Sequence, residues 1–123
     1  MPKQYRSEGY KTLIVWKRSY NFTIDIYRVT KKFPREELFG LTSQLRRAAS
    51  SIPVNIAEGY TRSSPREYTQ YLLIAKGSCA EVETLLLMVR DLDYISQEEF
   101  AYLDNSRQEI AKLLQGLINS LKH

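Results

Sequence analysis

"SQLRRAASSIPVNIAEGYTRSSPRE", Ser43 to Glu67, carries the end of one helix and the start of another in a single stretch. Leu41, Leu45, Ala48, Ala49, Ile52 and Ile56 fall at three- and four-residue spacing, the period of one helical face. That spacing predicts a helix from about Leu38 or Leu41 to Glu58, with Gly59 as its C-terminal stop. Ser64, Pro65 and Glu67 then read as a capping box with proline at the first helical position, fixing the start of the next helix. Pro53 sits inside the first of these helices. It lacks an N–H and crowds the carbonyl of Ala49, at about 3 kcal/mol, so a bend is expected there. The small residues Ala48, Ala49, Ser50 and Ser51 ease the clash, and a serine hydroxyl or Asn55 is expected to satisfy the freed carbonyl.

Reading onward, Tyr68, Tyr71, Leu72, Ala75, Cys79, Val82, Leu86, Val89 and Leu92 keep helical spacing until "DLDYIS" breaks it. Ser96 and Glu99 form a second capping box, and Phe100, Leu103, Ile110, Leu114, Leu117 and Leu121 carry a fourth helix to the end. Arg107 interrupts that stripe and is expected to snorkel. Reading backward, Thr12 to Lys32 places Leu13, Trp16, Tyr20, Ile24 and Tyr27 on an expected buried stripe that ends at Phe33-Pro34. Ile14, Phe22 and Ile26 fall off it and either broaden the buried face or mark a second contact surface.

Four helical patterns with short breaks predict an all-α fold: an antiparallel up-down-up-down four-helix bundle with a proline-kinked second helix. It forms one domain over residues 1–123, with residues 1–11 as a flexible N-terminal arm. The small residues of "AASS" and "AKGSCA" predict close packing of the second helix on the third, with Gly77 taking part.

The composition, 43% hydrophobic and 26% charged over 123 residues, is that of a helical globular domain able to fold without disulfides or metals. The longest apolar runs, such as Leu85 to Val89, fall far short of the ~20 residues that cross a bilayer, and no signal-peptide order opens the chain. No membrane is expected as a partner, and a cytoplasmic location is. The single cysteine, Cys79, reads as a packed thiol.

Catalytic chemistry finds few candidates. The one histidine is His123, where a solvated side chain is expected, so the Glu-x-x-His pairs of di-iron bundles cannot form. Glu81/Glu83 and Asp91/Asp93 are two residues apart and diverge on a helix. The serines of "SSPRE" are explained by capping. No catalytic residue, metal site or cofactor is expected.

Charge gives a stronger lead. Residues 1–35 hold nine Lys/Arg against Glu8 and Asp25, a sum of +7, which leaves −3 for the rest of a chain of net charge +4. Lys11, Lys17, Arg18, Arg28, Lys31 and Lys32, with Arg46, are therefore the candidate phosphate contacts, giving affinity that falls with salt. Tyr20 and Tyr27, on the expected buried stripe, are set aside as base-stacking groups. Arg46 and Arg47 point about 100° apart. Arg46 is expected to point outward, and Arg47, in line with Ser51, Asn55 and Glu58, to organise the subunit. Pro53, Asn55 and Glu58 share that structural or interface role. A protein-recognising scaffold using Tyr10, Ile14, Phe22 and Phe39 is the alternative.

The segments "FPREELFGLTSQLRRAASSIPVNIAEG", "SPREY" and "IAKGSCAEVET", within a match from Leu13 to Leu92, closely resemble a bacterial family. Its members are the four-helix-bundle proteins first noticed as open reading frames in intervening sequences of 23S rRNA genes. The resemblance implies a homo-oligomer assembled as a ring, pentameric in some relatives. A related branch comprises the accessory variability proteins of diversity-generating retroelements, which engage nucleic acid and a reverse transcriptase. RNA or DNA, and a reverse transcriptase or other protein, are the partners the resemblance implies.

Overall fold

The computed structural model describes residues 9–122. Four helices, α1 (Ile14–Thr30), α2 (Leu41–Tyr60), α3 (Pro65–Asp91) and α4 (Gln97–Ser120), form the bundle, with short 3-10 turns at Tyr10–Thr12 and Arg35–Glu37. Short connections make sequential helices antiparallel neighbours. Each helix packs on two others in a closed ring of contacts, and α2 on α3 is the most extensive. α1 and α3 stand diagonally opposite. Tyr10 and Lys11, expected in a flexible arm, instead form a turn packed on α1 and α2. The expectations for Met1 to Glu8 and for His123 lie outside the described residues.

The interior is a single apolar cluster. Leu45, Ile52 and Ile56 of α2 meet Leu72, Val82 and Leu86 of α3 and Leu114 of α4, all fully buried. Each such side chain contributes about 1.5–3 kcal/mol by leaving water. The α2 stripe is the one expected from spacing. Cys79 lies in this core, and burial pushes its thiol up to about 11, so it is a packing group.

On α1 the expected face is wrong. Val15, Ser19, Phe22, Thr23, Ile26 and Thr30 are buried, while Tyr20 and Tyr27 are 47% and 42% exposed. Phe22, put off the stripe, is 1% exposed. The reason lies in the hydroxyls: Ser19 donates to Trp16 O at 3.1 Å and Thr30 to Ile26 O at 2.7 Å, so both enter the core already satisfied. A count of apolar residues favours the tyrosines and misses this.

Pro53 is accommodated from across the bundle. α2 runs unbroken through it. The Thr23 hydroxyl of α1 lies 2.8 Å from Ser19 O and 3.1 Å from Ala49 O, so its one proton is shared between its own helix and the carbonyl that Pro53 leaves without an N–H donor. Neither a serine nor Asn55 does this. Asn55 Nδ2 donates instead to Ser51 O at 2.8 Å and Ser51 Oγ at 3.0 Å, and Ser78 Oγ joins Ser51 Oγ at 2.9 Å, linking α2 to α3.

Gly59 is not a stop either. α2 continues to Tyr60, and a Cβ on Gly59 would lie 2.7 Å from Tyr71 Cβ and 3.0 Å from Tyr68 Cδ1, so the glycine lets α2 approach the first turn of α3. At the start of α3, Ser64 Oγ accepts from Glu67 N at 3.1 Å without the reciprocal bond of a full box. α4 has both bonds, between Ser96 and Glu99. α3 ends in a Schellman turn: Asp93 adopts φ 62°, its N–H donates to Arg90 O at 2.9 Å, and Tyr94 N–H reaches Val89 O at 2.8 Å.

Arg107 does not snorkel. Its side chain is buried, donating to Asp104 Oδ1 at 2.8 Å and lying 3.4 Å from Glu83 Oε2 on α3. Burial raises the Asp104 carboxyl, but the bonds from Arg107 and Gln108 outweigh it and hold it below the usual range.

Candidate nucleic-acid interface

Ion pairing divides the cations of α1 and of the turn that follows it into two sets. Arg18 and Lys32 face α4, where they form ion pairs with Glu109 and Glu99. The Lys32 bond, with the Ser96 N–H, holds the Glu99 carboxyl below its ordinary value. Arg28 borders a surface pocket between α1 and α4 of about 480 Å³, shared with Asp25, Lys32, Glu98, Glu99 and Tyr102. Its charges are mixed, and Tyr102 OH donates to Asp25 Oδ2 at 3.2 Å inside it.

Lys17, Arg28 and Lys31 are exposed. Lys11 is exposed on the preceding turn. Among the described residues, Lys11, Lys17, Arg28 and Lys31 make no ion pair.

The paired arginines are placed the other way round from expectation, Arg46 packed and Arg47 exposed. Arg46 packs on the C-terminal turn of α1: Nε donates to Thr30 Oγ1 at 2.8 Å, an NH2 group reaches Tyr27 O at 3.4 Å, and the guanidinium lies 4.6 Å from the Tyr27 ring centre. A cation over the last carbonyls of a helix complements its dipole, so Arg46 is a positioning residue. Arg47 is exposed, and among the described residues its side chain makes no hydrogen bond or ion pair; only its carbonyl accepts from Ser50 Oγ, at 3.2 Å. The α2 face with Ser51 and Asn55 turns toward α3, and Arg47 sits at its outer margin. Glu58 pairs with Arg62 at 3.2 Å; Arg62 also donates to Tyr71 OH at 2.6 Å, joining the end of α2 to α3.

Between α1 and α2 runs an apolar groove of about 330 Å³ lined by Tyr10, Trp16, Tyr20, Ile24, Pro53 and Val54. Trp16 stacks on Tyr20 at 5.2 Å and meets Tyr10 edge-on at 5.4 Å. Lys17 adjoins Trp16 in sequence, and Arg47 shares the outer face of α2 with Val54, seven residues on. The exposed tyrosines and Arg47 are the surface groups that the apolar count missed. The buried Ser19, Thr23 and Thr30 were the available signal, since their period marks the inner face.

Among the described residues, no group of three or more His, Cys, Asp and Glu converges to hold a metal. None of their helices is long and apolar enough to cross a membrane.

Residues 11–116 match the model of the family described as 23S rRNA-intervening sequence protein. The chain belongs to that family. The chain is also similar to a solved structure, described as a protein of unknown function from the S23 ribosomal protein family of Bacteroides thetaiotaomicron. Identity is 29%, with 86% of this chain and 96% of that one covered, at a TM-score of 0.80. No curated protein matches. Neither likeness names an enzymatic activity, and the family name associates its members with an rRNA gene.

Proposed function

We propose that this family member is a non-enzymatic, homo-oligomeric nucleic-acid-binding protein, with Lys11, Lys17, Arg28 and Lys31 of the α1 side and Arg47 of α2 as its phosphate contacts. The observation that carries the reading is the division of α1: Arg18 and Lys32 are neutralised by α4, whereas the outward cations have no carboxylate partner among the described residues. Unpaired cations on one face recruit a polyanion by releasing its counterions, without reading sequence. Arg46 anchors the face and does not touch the ligand.

Fluorescence anisotropy with structured RNA, single-stranded RNA and duplex DNA at two salt concentrations tests this. Binding that weakens steeply with salt, and a shallower salt slope in Lys17→Ala/Lys31→Ala, are expected. No binding by the folded protein at low salt sinks the reading. An accessory role beside a reverse transcriptase, implied by the resemblance, extends it and is tested by co-purification with such an enzyme when its gene is adjacent.

The protein-scaffold reading keeps one supporting observation: Phe39, at the α1–α2 connection, is 92% exposed, and Ile14 is also exposed. Phe22, its third candidate, is in the core. Capture of one protein partner after nuclease treatment, lost in Phe39→Ser, favours this alternative.

A further inference from the structure

Two outer faces expose apolar side chains, and they differ in what stands among them. On α3, Leu73 and Ile74 are exposed around Gly77, which takes no part in the contact with α2 expected of it: a Cβ there would meet nothing within 4 Å. On α1, exposed aromatic rings lie between cations. Lys17, Tyr20, Ile24, Tyr27 and Lys31 follow three-four-three-four spacing, one stripe of a helix, and Lys31, the C-cap residue, keeps helical dihedrals (φ −59°, ψ −27°). The stretch from Lys17 to Lys31 is about 21 Å long, roughly six phosphate steps of a stacked strand. Tyr20 and Tyr27, set aside as stacking groups on the expectation of burial, are both exposed. Beside Tyr20 the stripe meets the apolar groove between α1 and α2, where Trp16 stacks on Tyr20 and Tyr10 meets Trp16 edge-on.

We propose that this groove and stripe take single-stranded nucleic acid, a base lying against Tyr20 and the groove wall while Lys17, Lys31 and Arg47 hold the phosphates. The inference rests on the nucleic-acid reading above and narrows its substrate. Phosphate contacts alone accept any polyanion, whereas an aromatic wall accepts a strand whose base faces are free, whichever base it carries. In a duplex those faces are covered by neighbouring bases, so the groove adds nothing to duplex binding. Charge selects this occupant over an apolar peptide or a second copy. Among the described residues, no carboxylate lines the groove. Its margins carry Lys17, next to Trp16 in sequence, and Arg47, one turn before the lining Ser50, and neither side chain is ion-paired among the described residues. Asp25, the acid next to Ile24, accepts instead from Tyr102 of α4. Unpaired cations on both sides of an apolar, aromatic wall suit a ligand that is flat and apolar in one part and anionic in the next.

Trp16, the one tryptophan in the sequence, reports on the groove directly in the full chain. Its emission should be quenched by oligo(dT) or oligo(U) of about a dozen nucleotides, and left unchanged by a hairpin duplex with the same number of phosphates bound at low salt. The stronger quencher of the two names DNA or RNA as the strand. In anisotropy titrations at physiological salt the single strand should bind more tightly than the duplex. Tyr20→Leu should cut the ratio of single-strand to duplex affinity about fivefold or more, and Tyr20→Phe should keep it. Lys17→Ala should lower both affinities. The quench is read in wild type, so the test stands even where a variant fails to fold. Duplex bound as tightly as single strand, or single strands bound with Trp16 emission unchanged, overturns the inference and leaves the phosphate reading in place. Emission that shifts with protein concentration and answers to no strand gives the groove to a second copy and overturns it likewise. Absence of all binding at low salt removes both.

Discussion

α1 and α3 occupy diagonally opposite corners of one bundle, and their outer faces differ in kind. α1 buries three hydroxyl residues and turns aromatic and cationic groups outward. α3 buries a conventional apolar stripe and still exposes leucine, isoleucine and methionine. A helix with apolar residues all round and no matching neighbours has a second surface to cover. A helix whose hydroxyls are spent on its own carbonyls can afford a polar-looking inner face. Hydrophobic spacing therefore finds the inner face of α3 and misses that of α1, where internal hydrogen bonding decides.

The largest expected effect separates the two faces of α1. Phe22→Ala should lose about 3–5 kcal/mol in urea unfolding, and Tyr20→Ala well under half of that, because Phe22 is fully enclosed and Tyr20 is not. Equal losses would restore the tyrosine stripe as the core.

Next comes the link between Thr23 and Pro53. Thr23→Val should cost about 1–3 kcal/mol by leaving Ala49 O without a donor. In a Pro53→Ala background the restored N–H serves that carbonyl, and the same change should cost less. A double-mutant cycle measures the coupling, and an additive cycle would mean the Thr23 bond has no bearing on the proline.

Two glycines sharpen the comparison with α3. Gly77→Ala should raise stability by up to about 1 kcal/mol, whereas Gly59→Ala should lower it because its Cβ meets Tyr71 and Tyr68. Thermal melts give the signs directly.

The smallest effect is in acid. Asp104 and Glu99 both titrate below their unfolded values, so each adds stability above the ordinary carboxylate range, and that stability is lost as pH falls through the lowered folded value. Unfolding free energy measured from neutral to acid pH should fall. Asp104→Asn, at the buried Arg107, should flatten the fall more than Glu99→Gln at the exposed Lys32.

Most of the fold could be read from the chain. The α2 stripe, the serine caps, and the number and order of helices needed only local spacing. What could not be read depended on which neighbour lies alongside. Arg46 is drawn in by the carbonyl end of α1, a partner distant in sequence. Gly59 resembles a stop until Tyr68 and Tyr71 are placed against it. Arg107 finds Glu83 only when α3 and α4 are side by side. In the candidate interface, the basic α1 residues could be named in advance; their division into paired and unpaired sets required α4.

The Thr23 hydroxyl also bears on the order in which the chain becomes organised. A peptide spanning only Leu41 to Tyr60 has an untended carbonyl at its middle turn, so its helix should fray there until α1 arrives. The proline thus makes the completion of one helix conditional on another, and amide exchange near Ala49 should report docking of α1 more sensitively than the helicity of α2 itself.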